Sequence, residues 1–224
     1  MREVGAGVTD VLLGAVLLWC ARRLQRTEAV HRYWALMLWS AGAAALAGAA
    51  HHLVFSGSRR ASDLSWVAVG VLLATAISYF LAASATELLD RRRAGWFIRL
   101  RIAGLIAYLV VIAVVGIGRT RPLLLSEGVT MTAVVGLWIY AVRAGRPGAA
   151  RMLAAIAVCA LSAVVFAVPT GAVSSAVGLD ARSLQHLAQI PGVLLISQVV
   201  GGGALLRPAD RPLQARPPPG TRDR

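Results

Sequence analysis

Six side chains in this sequence are of the types that do acid–base or metal chemistry: Asp10, His51, His52, Asp63, Glu127 and His186. Each lies in, or at the end of, a long apolar run. Ionisable groups in such runs are costly, face a bundle interior or water, and mark function by default. Imidazoles and carboxylates together are ligands that suit zinc, with His51, His52 and His186 as the nitrogen donors. The carboxyl groups of Asp10, Asp63 and Glu127 are candidates for general acid–base work. His186 and Gln189 are three apart and share a helix face, which Ser183 extends by a turn. Pro191 donates no backbone hydrogen bond, so it frees the carbonyl of Leu187 beside that face. His51 and His52 are neighbours, about 100° apart on an α-helix, so at most one of them is expected to point straight into the bundle. Each residue also has a structural reading. A histidine at a membrane interface is an amphipathic anchor, and Asp63, after Ser62, is a helix-cap group. Asp10 reads as a cap in the same way, Glu127 as a group in a wet first turn, and His186 as a hydrogen-bonded packing residue.

The elements that must position these groups are membrane helices. Of the 224 residues 58% are hydrophobic and 15% charged, and the mean hydropathy is +0.69. A soluble domain uses about 45–50% apolar residues. A span needs roughly 20 apolar residues, and seven segments approach this: Val4–Ala21, Tyr33–Phe55, Leu64–Leu88, Phe97–Ile117, Pro122–Val142, Met152–Val173 and Leu184–Leu206. The expected fold is therefore all-α, a polytopic seven-transmembrane bundle over residues 1–206. The remainder, 207–224, is rich in Pro and Arg and is expected to be a disordered cytoplasmic tail attracted to anionic lipid. The N-terminal run is expected to be a retained helix and not a cleaved signal, since Asp10 interrupts it and no small-residue cleavage site precedes Arg22–Arg23. The cysteines Cys20 and Cys159 have no motif partners, which argues against a disulfide or a cysteine metal site.

The net charge of +13 comes from 23 Arg and no Lys. Arg residues flanking apolar spans explain it better than nucleic acid does. Six lie on one side of the spans (Arg2, Arg59, Arg60, Arg119, Arg121, Arg182) and seventeen, Arg99 and Arg101 included, on the other. The Arg-rich side is cytoplasmic, so the N-terminus is outside and the C-terminus inside the cell membrane. All six candidate residues then fall within a turn or two of the outer interface. The inner halves hold only Glu87 and Asp90, which read as ion-pair partners of Arg91–Arg93. The Gly/Ala-rich stretch Ala41–Ala50 and the Gly201–Gly203 run predict close helix contacts, within the bundle or between copies.

GAAHHLVF (with His52), RRASDLSW (with Asp63) and SLQHLAQIPG (with His186) resemble motifs of the CREST superfamily of seven-span membrane proteins. That superfamily includes alkaline ceramidases, progestin and adipoQ receptors and Per1-like proteins. The chain is also similar to small bacterial seven-span proteins with an Asp in the first helix and a His-bearing seventh. The resemblance covers nearly the whole chain. It implies a zinc-dependent hydrolase site, acting on an amide or ester of a membrane lipid. In that site a His near the end of the second span, an Asp opening the third and two His in the seventh act together. Where the superfamily has a Ser one turn before the second-span His, this chain has Gly48. The residues four from His186 are Arg182 and Ile190. A third metal ligand would have to be His51, Asp10 or Glu127. Two other classes stay open: a non-catalytic receptor-like or scaffold protein, and a transporter using Asp10, Glu127 and His186 as a proton relay.

Overall fold

The computed structural model describes residues 2–26, 32–115, 121–167 and 178–202. These form seven helices and, among the described residues, no strand. They are α1 (Arg2–Gln25), α2 (Arg32–Ala50), α3 (Arg59–Leu88), α4 (Arg91–Val115), α5 (Arg121–Arg143), α6 (Ala149–Ala167) and α7 (Ala181–Gly201). The expected all-α architecture is present. Six helices, all but α6, are long and apolar enough to cross a membrane, and α6 carries a shorter apolar stretch, Ala149–Ser162. The tail expected over 207–224 and the ends of the expected sixth and seventh spans lie outside the described residues.

Several helices start earlier than their apolar runs. Arg is a good helix former, so the Arg-rich flanks join the helices they precede. Thus α3 begins at Arg59, which puts Asp63 inside the helix. The capping position belongs to Ser58, and the cap reading of Asp63 does not hold. Likewise α4 begins at Arg91, held by Asp90, whose Oδ1 accepts from the Arg93 backbone N–H at 2.9 Å. Asp90 also pairs with the Arg93 side chain at 3.3 Å, as expected for this end of the bundle. The Arg93 N–H is the main reason the Asp90 carboxyl titrates below its ordinary range.

Six helices close a ring: α1 packs on α2 and α7, α2 on α3, α3 on α5, α5 on α6 and α6 on α7. Helix α4 lies outside it, against α3 and α5, and most of its length is uncovered. Small residues set the closest approaches, as the Ala41–Ala50 stretch predicts. A Cβ on Gly42 would meet Leu18 at 2.7 Å and the Gly14 carbonyl at 3.3 Å, so α1 and α2 touch through two glycines. Gly192 of α7 sits against the Cys159 side chain and the Ala155 carbonyl of α6 in the same way. Trp34, Phe80 and Trp138 join α2, α3 and α5, with Trp34 ring centroids 5.7 Å from Phe80 and 6.4 Å from Trp138. The buried Trp138 indole donates to Ser84 Oγ at 3.0 Å, which satisfies both polar groups inside an apolar layer.

Candidate functional site

The two residues that sequence places in the first and seventh spans meet. Asp10 Oδ1 on α1 is 3.1 Å from His186 Nδ1 on α7, with side-chain exposures of 8% and 18% respectively. Thr9 Oγ1 lies 3.3 Å from the same nitrogen. The Thr9 hydroxyl proton is already directed to the carbonyls of Gly5 and Ala6, at 3.1 and 3.0 Å. The proton shared with Oδ1 therefore belongs on the His186 Nδ1 side of the contact, and Nε2 is left as the basic nitrogen of the ring. One turn before His186, Ser183 Oγ is fully buried with no hydrogen-bond partner among the described residues. It lies 3.2 Å from where a Cβ on Gly5 would be.

Gly48 is what admits the Asp10 carboxylate. A Cβ at Gly48 would stand 2.8 Å from Asp10 Oδ2 and 3.3 Å from its Cγ. The space that a side chain at this position would take is filled by a carboxylate from another helix.

Both histidines at the end of α2 are buried, His51 at 5% exposure and His52 at 6%. The expectation that at most one of them points inward does not hold. The chain from His51 to Phe55 makes a π-helical turn, whose wider coil changes the angular step between neighbours. Such turns are frequent at functional sites. Trp66 of α3 completes the cover, with its ring 4.5 Å from His51 and 6.1 Å from His52. Ser65 Oγ donates to the Ser62 carbonyl at 2.8 Å and so accepts from His51 Nδ1 at 2.7 Å. His52 is within electrostatic reach of His186. These side chains are brought together by α1, α2, α3 and α7 at the end where α2 finishes and α7 begins. Asp63 is half-buried on α3 and makes no hydrogen bond or ion pair to a described residue.

Glu127 belongs elsewhere. It sits on α5 within electrostatic reach of Arg101 and Tyr108 of α4. Its Oε1 is buried without a hydrogen-bond partner among the described residues. This second cluster corrects two expectations. Glu127 is grouped with Arg101 and not with the histidines, and Arg101 is not a flanking cytoplasmic residue. Arg101 is 8% exposed and ten residues into α4, about 15 Å along a helix. Its Nε donates to Ser78 Oγ at 2.8 Å, Nη1 to Ser126 Oγ at 2.9 Å and Nη2 to the Ala74 carbonyl at 3.0 Å. Removing it from the cytoplasmic count leaves sixteen Arg against six, and the bias keeps its sign. A charged side chain is therefore buried well inside a helix, away from the histidine cluster.

The resemblance implies a resident zinc ion, and the donors present meet only part of what zinc needs. A ligating histidine commonly holds its second nitrogen to a carboxylate, and Asp10 does this for His186. A catalytic zinc also wants three converging protein donors. Among the described residues no group of three or more His, Cys, Asp or Glu side chains is spaced to hold a metal. Asp10 is committed to His186, and Glu127 is grouped with Arg101. The arrangement is that of a carboxylate-supported imidazole, not of a three-donor centre.

Comparison with known proteins gives a family. The family of unknown function DUF6962 matches residues 6–204. The chain belongs to it. No curated protein and no solved structure matches this DUF6962 chain. The match takes in all seven described helices except the first residues of α1, so both polar clusters lie within it.

Proposed function

We propose that this DUF6962 protein is a seven-span protein of the cell membrane, N-terminus outside, and that its outer histidine cluster is a hydrolase site for a lipid ester or amide. The observation that carries the reading is the Asp10–His186 pair, buried beside His51 and His52. Asp10 fixes the ring and supports the positive charge that it gains, so Nε2 can take a proton from water as the water attacks a carbonyl carbon. The same nitrogen then returns that proton to the leaving alcohol or amine. His52, within electrostatic reach, is the nearby group able to donate to the developing oxyanion. The cluster's depth suits a headgroup-proximal bond of a lipid entering from the outer leaflet. The resemblance to CREST hydrolases and the outward N-terminus implied by the Arg distribution support the reading.

The test is fatty-acid release from ester- and amide-linked lipids by the purified full-length protein, with bound zinc measured on the same sample. Wild type is expected to release fatty acid. His186→Ala is expected to abolish release and Asp10→Asn to lower it by roughly 10²-fold or more. Absence of release from every such lipid, with zinc added or not, would sink the proposal, as would unchanged release by His186→Ala.

A second reading has its own observation: Asp10, Thr9 and His186 satisfy one another's hydrogen bonds. On that reading the cluster is a polar plug that fixes helix register in a non-catalytic receptor-like or scaffold protein. His186→Ala then lowers thermal stability while no lipid is cleaved by either form.

A further inference from the structure

The cluster around Arg101 opens into a cleft that the histidine cluster does not use. The cleft lies between α4 and α5 on the surface of α3, with a volume of about 750 Å³, within the range that encloses one small ligand. Its walls are apolar: Phe97 together with Leu100 and Val129, which are 66% exposed and so face the surrounding bilayer. The polar groups collect at its floor, in Arg101, Ser126 and Thr130.

The Arg101 guanidinium has five N–H groups. Three are used, one from each nitrogen, on Ser78, Ser126 and the Ala74 carbonyl. Two remain, one on each terminal nitrogen, as donors for which no partner appears among the described residues; a carboxylate is the group that takes two guanidinium N–H bonds at once. All three partners are neutral, and among the described residues Arg101 makes no ion pair. Glu127 reaches it only electrostatically. The cation is thus held by three neutral groups, beside the Glu127 carboxyl and with two N–H groups unused among the described residues, on the lining of an apolar cleft. Such a charge is costly unless paired.

We propose that the α3–α4–α5 cleft binds a long-chain fatty acid, its carboxylate on the Arg101 guanidinium and its chain along the apolar walls. Charge complementarity selects the head. A methyl ester or an alcohol brings no charge, and a diacyl phospholipid brings a larger head and a second chain to a slot of this size. The site is separate from the histidine cluster, and its occupancy does not depend on whether that cluster hydrolyses anything.

The experiment uses the full chain in phosphatidylcholine nanodiscs with a diazirine-bearing palmitic acid, photo-crosslinked and mapped by mass spectrometry. Labelling is expected to concentrate on α4 and α5. Palmitic acid should compete at least tenfold better than its methyl ester. Arg101→Gln should reduce labelling of these helices at least tenfold. Val129→Trp fills the slot from its exposed wall without touching the polar floor, and should do the same if Arg101→Gln fails to fold. Labelling spread evenly over all helices, equal competition by acid and ester, or wild-type labelling in Val129→Trp would each overturn the proposal.

Discussion

Replacing Gly48 with Ala tests whether the Asp10 carboxylate occupies the space that sequence alone reads as a missing side chain. A methyl at Gly48 would stand 2.8 Å from Asp10 Oδ2 and 3.3 Å from Cγ. The obstructing atom is rooted on α1, and its other oxygen is held by His186 at 3.1 Å, so it cannot swing away without breaking that contact. Overpacking of this kind costs about 1–3 kcal/mol. In a helix interior, Gly→Ala otherwise stabilises by about 0.5–1 kcal/mol. The net expectation for Gly48→Ala is a loss of up to about 2.5 kcal/mol. In an Asp10→Ala background the obstruction is gone and the same change should stabilise, by about 0.5–1 kcal/mol. The two backgrounds therefore differ in sign, with a coupling of about 1–3 kcal/mol between contacting residues. Equilibrium unfolding of the four proteins in one detergent measures it. An equal cost of Gly48→Ala with and without the Asp10 carboxylate would refute the geometry.

Three other outcomes follow from single contacts. Trp138→Phe strands the fully buried Ser84 hydroxyl and should cost about 1–3 kcal/mol, much of it recovered by adding Ser84→Ala; thermal unfolding of the single and double variants checks this. Trp66→Ala uncovers His51 and His52, so diethyl pyrocarbonate should modify both faster than in wild type, whereas Ser65→Ala removes the acceptor of the buried His51 Nδ1 and should cost about 1–3 kcal/mol of stability without that gain in reactivity. Asp90 titrates below its ordinary value of 3.8 in the folded chain. Its contribution is fully present above that value and is lost as pH falls through the lower folded one. The acid limb of a thermal-midpoint profile should flatten in Asp90→Asn.

Sequence carried the depth of most groups but not their direction around each helix. Asp10 and His186 are legible because each is a polar residue in an apolar run, and α1 and α7, the first and seventh of an alternating series, run in the same direction and put both positions at the same end. What makes them touch is the absence of a side chain at Gly48, and a glycine in an Ala-rich helix gives no sign of which neighbour uses its space. Both histidines of α2 are buried through a π-helical turn that hydropathy does not encode. Ser65 and Trp66 become visible as partners only once α3 is known to start at Arg59. Glu127 lies on α5, which packs on α3 and α6 with α4 beside it, so it meets Arg101 and not the histidines.

Arg101 shows why an arginine cannot be assigned to a membrane face by count alone. Arg99 and Arg101 stand two apart, and on a helix that spacing puts them on different faces. Arg99 is exposed, while Arg101 is buried against α3 and α5. Stability alone does not account for a charge in that position. The desolvation of one ion costs several kcal/mol, and an apolar residue of similar volume in such sites is often neutral or stabilising. Its three hydrogen bonds to neutral groups offset part of that cost and fix the guanidinium in one orientation. Helix α3 serves both clusters. Its first turns hold His51 through Ser65, and its middle holds Arg101 through Ala74 and Ser78. One 30-residue helix therefore sets the position of His51 at one end of the bundle and of the buried cation farther along its length.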